Sequence, residues 1–252
     1  MSDYDRNVAA RGFGTTRSAA IDAGLRAYMI RIYNYMAAGV ALTGVVAWLT
    51  FNAAVITDAN GTITGLTSFG HAIFGGPLTI MLFVGTLGIV FFLSFRINKL
   101  QASTALFLFM AYAALLGLML STVFLQYTGA SITRTFFISA ASFGALSLYG
   151  YTTQRDLSPI GSFLVMGLFG LILAMIVNIF LKSTGLDFAI SAIGVLIFAG
   201  LTAWDTQKIK EMYDANDDGT VTGRKSVMGA LTLYLDFINL FLFMLRFMGD
   251  RR

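Results

Sequence analysis

The sequence predicts an all-α integral membrane protein with seven transmembrane helices. Of its 252 residues 57% are hydrophobic and 12% are charged, whereas soluble domains carry about 25% charged residues. Seven apolar stretches run approximately over 32–52, 73–95, 103–126, 132–151, 160–181, 186–206 and 226–247. Each is close to the roughly 20 residues that cross a hydrocarbon core as helix. Basic residues set the orientation. With the N-terminus in the cytoplasm, the tail and the second, fourth and sixth loops hold twelve Lys and Arg, and the opposite loops hold only Arg134 and Lys182. Such asymmetry marks the cytoplasmic side.

Residues 1-31 read as a cytoplasmic N-terminal tail and residues 32-252 as a single membrane domain. The tail carries Arg6, Arg11, Arg17, Arg26 and Arg31 and has no apolar core of a secretory signal. Asp3, Asp5 and Asp22 argue against a mitochondrial transit peptide. Segment one ends near Trp48, which reads with Tyr127, Tyr149, Tyr151 and Trp204 as an interfacial anchor. The long connection 53–72 is expected to be a loop, with His71 solvated beside Gly75-Gly76-Pro77 at the start of segment two. In segment four, Ala140 and Gly144 are spaced for close helix packing. Asn178 in segment five is polar at depth and is expected to bond a neighbouring helix. Segments six and seven form a hairpin around 214–223. The basic residues Arg246, Arg251 and Arg252 break the charge rule if segment seven crosses fully; re-entry is the alternative, and a full crossing is the expectation.

Several chemistries are excluded. Without cysteine there is no disulfide, thiolate nucleophile or sulfur-bound metal, and a single histidine cannot build a zinc-protease motif. No nucleophile–base pair or phosphate-binding loop is apparent, and no cofactor or nucleic-acid partner is expected. The lipid bilayer is the expected surrounding, with a membrane-protein partner as a further expectation.

Two acidic residues stand against this background. Asp236 lies inside segment seven and Asp205 closes segment six. A carboxylate near the centre of a spanning helix costs about 2.5–3.5 kcal/mol on insertion scales and is usually partnered or set on a water path. Counted from the hairpin, the two differ in depth by about one helical turn, roughly 6 Å. Thr232, Asp236, Asn239, Phe243 and Arg246 share one face of segment seven, and Ser191, Gly194, Phe198, Thr202 and Asp205 share one face of segment six. Two carboxyls meeting in low dielectric cannot both ionise freely, so the pair is expected to share a proton and titrate as a unit. The alternative is that Asp236 bonds within its own helix while Asp205 sits among headgroups. Asp205 and Asp236 are the candidate pH sensor and ion pathway, Thr202, Thr232 and Asn239 the candidate lining, and Arg96, at the inner end of segment two, the candidate latch.

The run Leu233-Tyr234-Leu235-Asp236-Phe237-Ile238-Asn239-Leu240-Phe241, followed by Leu245-Arg246-Phe247, resembles the last-segment signature of the Bax inhibitor-1 family. Trp204-Asp205-Thr206-Gln207-Lys208-Ile209 is similar to the end of that family's sixth segment, with Trp204 in place of the more usual Tyr. The cysteine-free, compact chain resembles the bacterial branch. The resemblance implies seven helices with the last one central and surrounded by the other six. It also implies a pH-sensitive calcium leak through a bacterial inner membrane, with Asp205 and Asp236 as sensor. The family's arginine latch falls at the end of segment two, where Arg96 stands in weakly matching surroundings. Bacterial relatives are also linked to the regulation of membrane proteases, so a non-transporting regulatory protein is the alternative function. A third reading, an aspartyl intramembrane protease, lacks its Gly-Asp contexts.

Asp214, Asn216, Asp218 and Gly219 follow the spacing of a calcium loop, but Lys225 occupies the position of the bidentate Glu. A polar turn is the expectation there, and a cation site at Asp214, Asn216 and Asp218 the lesser alternative.

Overall fold

The computed structural model describes the backbone of residues 3–59 and 62–252, and side chains from Asp22 onward except Ser94 and Asn98. The tail charges Arg6, Arg11 and Arg17 therefore lie outside the described side chains. Nine helices and one short hairpin occupy the described chain. They are α1 (Asp3–Ala54), β1 (Val55–Thr57), β2 (Ile63–Leu66), α2 (Ser68–Gly75), α3 (Pro77–Arg96), α4 (Ala102–Leu120), α5 (Val123–Gln126), α6 (Gly129–Thr152), α7 (Ser158–Leu181), α8 (Thr184–Glu211) and α9 (Gly219–Met248). A 3₁₀ turn, Ile97–Lys99, follows α3. Helix α1 runs through residue 32 without a break, and Tyr28 and Met29 upstream are already buried.

Five spans among the described residues are long and apolar enough to cross a membrane: Asp22–Ala54, Ala102–Gln126, Ser158–Leu181, Thr184–Glu211 and Gly219–Met248. The pair α2 and α3 makes a sixth if it is one bent span. The bend of 53° falls at Gly76-Pro77, within what the sequence reads as segment two. Pro77 has no N–H to return to the turn before it, and starts α3 where none is needed. The hydroxyl of Thr79 donates to the Ile73 carbonyl and satisfies it.

Helix α6, the expected fourth span, has the length, at 24 residues, but falls short in apolarity. Ser131, Thr135, Ser139 and Ser147 are buried at spacings of four or eight residues, so these hydroxyls form one inward stripe. Ser147 shares a hydrogen bond of 2.9 Å with Thr206 of α8, and the Ser139 hydroxyl faces the Met244 sulfur of α9. Gly150, rather than Gly144, is where backbones close: a Cβ there would strike the Ala203 carbonyl of α8. Gly144 opens onto empty space.

Helix α9 packs against α1, α4, α6 and α8. Its Leu233, Tyr234 and Leu240 are fully buried. The Tyr234 hydroxyl lies 2.6 Å from that of Thr43, which donates to the Ala113 carbonyl, so one polar chain ties α9, α1 and α4. Helices α3 and α7 instead present large apolar side chains outward, among them Ile80, Phe95, Phe163 and Phe180. A soluble protein does not carry apolar faces of that extent. The chain is a membrane protein built of helices.

The long first connection holds the antiparallel pair β1–β2, which the sequence reading treats as plain loop. Its signal was present: β-branched runs flank Asn60-Gly61, a dipeptide favoured in hairpin turns. Asn178 does not bridge helices; its Oδ1 accepts from the Ser183 N–H and finishes α7, where Lys182 takes a left-handed conformation (φ 49°). Tyr127 is buried rather than interfacial, because the C-terminal tail folds over it. Tyr127 bridges to Arg251, Thr128 N–H donates to the Asp250 carbonyl, and Arg252 N–H donates to the Gln126 carbonyl. The end of α9 thus lies with the α5–α6 connection, at the opposite end of the bundle from the α8–α9 turn. Helix α9 does not turn back.

Gly150→Ala is expected to destabilise the bundle by about 1–3 kcal/mol through overpacking, while Gly144→Ala leaves it unchanged. Thermal unfolding of the two variants in the same detergent checks this.

Candidate functional site

Helices α8 and α9 pack along most of their length and set the site. Met212–Asp218 connects them, with Asp218 as the N-cap of α9, accepting from the N–H groups of Thr220 and Val221 at 2.8 and 2.7 Å. The first turns of α9 overhang the end of α8: Lys225 donates to the Met212 carbonyl, and Gly229 lies against Ile209. From the Gly229–Ile209 level, Asp205 is four residues deeper and Asp236 seven. The offset of three residues, about 4.5 Å along a helix, brings the carboxyls within hydrogen-bonding reach of each other.

Asp236 is buried, at 5% exposure, and its Oδ2 has no hydrogen-bond partner among the described residues. Asp205 is half-buried. Both line a cavity of about 670 Å³ between α7, α8 and α9. The whole polar stripe of α9 named above, Thr232, Asp236, Asn239, Phe243 and Arg246, lines the same cavity. Asn239 returns its amide N–H to the Leu235 carbonyl at 2.8 Å, and Thr232 its hydroxyl to Met228 at 3.1 Å, leaving the Asn239 carbonyl oxygen and the Thr232 lone pairs available. The walls are apolar, from Val165, Leu168 and Met175 of α7.

The face of α8 differs from the stripe read from spacing. Phe198, Leu201, Trp204 and Asp205 reach the cavity. Thr202 is buried elsewhere, its hydroxyl donated to the Phe198 carbonyl at 2.7 Å, and Ser191 returns its hydroxyl to Asp187. A β-branched threonine in a helix readily bonds one turn back, and Thr202 spends its polarity there.

Arg96 is exposed at the end of α3, and among the described residues it forms no ion pair and does not line the cavity. The cations near the carboxyls are others. Lys208, three residues beyond Asp205, acts on its charge and lies over the Trp204 ring, 5.0 Å from its centre. At the far end, Arg246 lines both this cavity and a second, polar one of about 630 Å³ bounded by Asp187, Arg251 and Arg252. Arg246 pairs with Asp187, to which Arg251 also reaches at 3.6 Å. The sequence reading placed Arg246 on the stripe but missed Asp187. Its signal was an acid in the first turn of α8, the end where the arginines broke the charge rule.

The hairpin turn is internally satisfied. The Asp214 carboxyl accepts from the backbone and amide N–H of Asn216, which hold it below the usual carboxylate range. Asp218 caps α9, and Lys225 pairs with Asp217. Asp214, Asn216 and Asp218 thus serve the turn, and no cluster of three or more acidic or histidine side chains occurs among the described residues.

The chain is similar to the inner membrane protein YbhL of Escherichia coli (strain K12), 47% identical over 232 residues that cover 91% of this chain and 94% of that protein. An uncharacterized protein of Rickettsia prowazekii is 48% identical over 252 residues, the full length of both. An uncharacterized Caulobacter vibrioides protein is 40% identical over 258 aligned positions, again end to end. Residues 25–252 match the family described as Inhibitor of apoptosis-promoting Bax1. The paired aspartates of α8 and α9 thus sit in a chain that belongs to the Bax inhibitor-1 family.

Proposed function

We propose that this membrane protein is a pH-sensitive cation leak of a bacterial inner membrane, with calcium as the ion and the Asp205–Asp236 pair as proton sensor. One observation carries the reading: two carboxyls from adjacent spanning helices meet at a cavity whose polar stripe continues along α9. A shared proton leaves one negative charge in low dielectric; losing it leaves two, which a divalent cation neutralises. Two carboxyls each holding the ion through one oxygen, with the oxygens of Asn239 and Thr232, give four ligands, short of the six to eight of a tight calcium site. Passage needs such loose holding. The family membership and the inner-membrane name of the Escherichia coli relative support an inner-membrane location.

In this reading α2–α3 and α6 cross together with the five apolar spans, giving seven spans in which the other six surround a central α9. The N-terminus and the α8–α9 turn face the cytoplasm, and the C-terminal tail faces out. Lys208, in preference to Arg96, is the latch on Asp205. The Arg246–Asp187 pair seals the outer end of the cavity. Protonating Asp205 weakens its hold on Lys208, so the leak rises as pH falls. The pair is not a protease dyad, and the protein is no enzyme.

In liposomes loaded with a calcium dye, the wild-type protein is expected to give a flux that rises from mildly alkaline to mildly acidic pH. Asp205→Asn should give a leak that no longer follows pH, and Asp236→Asn a calcium flux lower by about tenfold, the scale of losing one charged ligand. Lys208→Met should raise leak at neutral pH while Arg96→Ala leaves it unchanged. No flux at any of these pH values sinks the leak and leaves a non-transporting regulatory role.

Asp187→Asn removes the partner of Arg246 at the far end of the cavity. The expected outcome is a severalfold higher flux with the pH dependence of the wild type, measured in the same liposomes.

A further inference from the structure

Helices α1 and α6 run side by side without closing on each other. A hydrogen bond between the Tyr33 and Ser147 hydroxyls spans the seam. On either side of its middle the seam opens into an apolar cleft. One, of about 490 Å³, lies toward the C-terminal tail and is floored by Phe237, Ile238 and Phe241 of α9. The other, of about 560 Å³, lies toward the α8–α9 turn between Met29, Ile30 and Leu148. Phe136 and Phe143 meet Phe237 edge-on, with centroids 5.7 and 5.6 Å away, and form the partition. Each cleft has the size of a ligand site, about 300–1,000 Å³. Glycine keeps each one open: a Cβ on Gly44 in the first or Gly144 in the second would meet nothing within 4 Å.

A guanidinium lines the second cleft, and another, whose Nε donates to the Tyr127 carbonyl at 3.3 Å, lies over an aromatic ring that lines the first. Arg26 lines the second cleft directly, is exposed, and makes no ion pair among the described residues. Arg252 lies over the ring of Phe51, 5.9 Å from its centre, and Phe51 stacks on Phe124 at the rim of the first cleft. From Arg26 to Phe51 is 25 residues of one continuous helix, about 37 Å. A bilayer measures about 40–45 Å with its headgroups. The two guanidiniums therefore sit near the phosphate levels of the two leaflets, and the aromatic partition sits midway, where acyl chains from opposite leaflets end. Trp48, exposed beside the first cleft, is the type of residue that settles at the lipid interface.

We propose that the α1–α6 seam binds anionic phospholipid, one molecule from each leaflet, with an acyl chain in each cleft and its phosphate held by Arg252 or Arg26. An apolar slot ending at a guanidinium at phosphate depth selects an acyl chain joined to an anion, which neither a free phosphate nor a neutral hydrocarbon supplies. Arginine suits that end because its planar fork bonds phosphate oxygens in pairs.

The test is native mass spectrometry of the intact protein released from detergent with phosphatidylglycerol, with phosphatidylethanolamine of the same chains, or with glycerol phosphate. Two phosphatidylglycerol molecules are expected to survive release, with retention about tenfold above phosphatidylethanolamine, the scale of one charge-assisted contact. Glycerol phosphate should be lost. Gly44→Leu and Gly144→Leu fill the clefts and should each remove one bound lipid. Arg252→Gln and Arg26→Gln should each abolish the headgroup preference of one. Equal retention of the two lipids marks ordinary boundary lipid and overturns the proposal. Retention of glycerol phosphate, or unchanged lipid binding in both leucine variants, overturns it as well.

Discussion

A carboxyl inside a membrane helix must find its partner in the helix beside it. Asp236 is buried in α9, its Oδ2 has no hydrogen-bond partner among the described residues, and the Asp205 carboxyl is within reach of its own. That demand fixes how α8 and α9 lie together. Moving either aspartate to the neighbouring position in sequence would point that side chain about 100° away and separate the carboxyls. The capped turn at Asp218, the Lys225 tie to Met212 and the contact of Gly229 with Ile209 all hold the same register. Around this hairpin the other helices are placed: α6 by its hydroxyls, and α1 and α4 through the Thr43–Tyr234 link.

Much of this was legible in the residues. The seven apolar stretches fall on helices, and the aligned polar positions of α9 share one cavity. The depth argument for Asp205 and Asp236 succeeded although the turn is shorter than read, because α9 overhangs α8 and the two errors offset. The face of α8 was read less well. Periodicity places Thr202 and Asp205 on one side, but it does not say that a threonine hydroxyl turns back to its own helix. Arg96 illustrates a different gap. A position at the end of a segment gives depth, not direction, and its side chain points outward. Asp187 was missed because its role depends on the end of α9 and the tail after it bringing Arg246 and Arg251 to it.

In the reading where α6 crosses the membrane, hydropathy understates it for a physical reason. A sum over residues treats each hydroxyl as a cost of immersion. In α6 Ser131, Thr135, Ser139 and Ser147 share one face and are buried against protein, while the outward side is apolar apart from Thr133 and Arg134 near one end and Thr152 at the other. Ser147 spends its hydroxyl on Thr206 and Tyr33, and Ser131 accepts the N–H of Asp250. What counts in a bilayer is the side that polarity takes, and that pattern has the period of a helix.

Helix α7 is the least enclosed wall of the acidic cavity. It leans chiefly on α8, where Gly161 admits the Trp204 ring and Gly200 admits Leu164, and most of its surface faces outward. In water, peeling such a helix away would expose oil to solvent and cost dearly. In a bilayer the neighbour that replaces it is a lipid tail as apolar as leucine, so the exchange carries almost no hydrophobic penalty. A wall of this kind swings at the expense of packing alone. For such a wall the surrounding lipid, and not water, is the medium against which displacement is resisted.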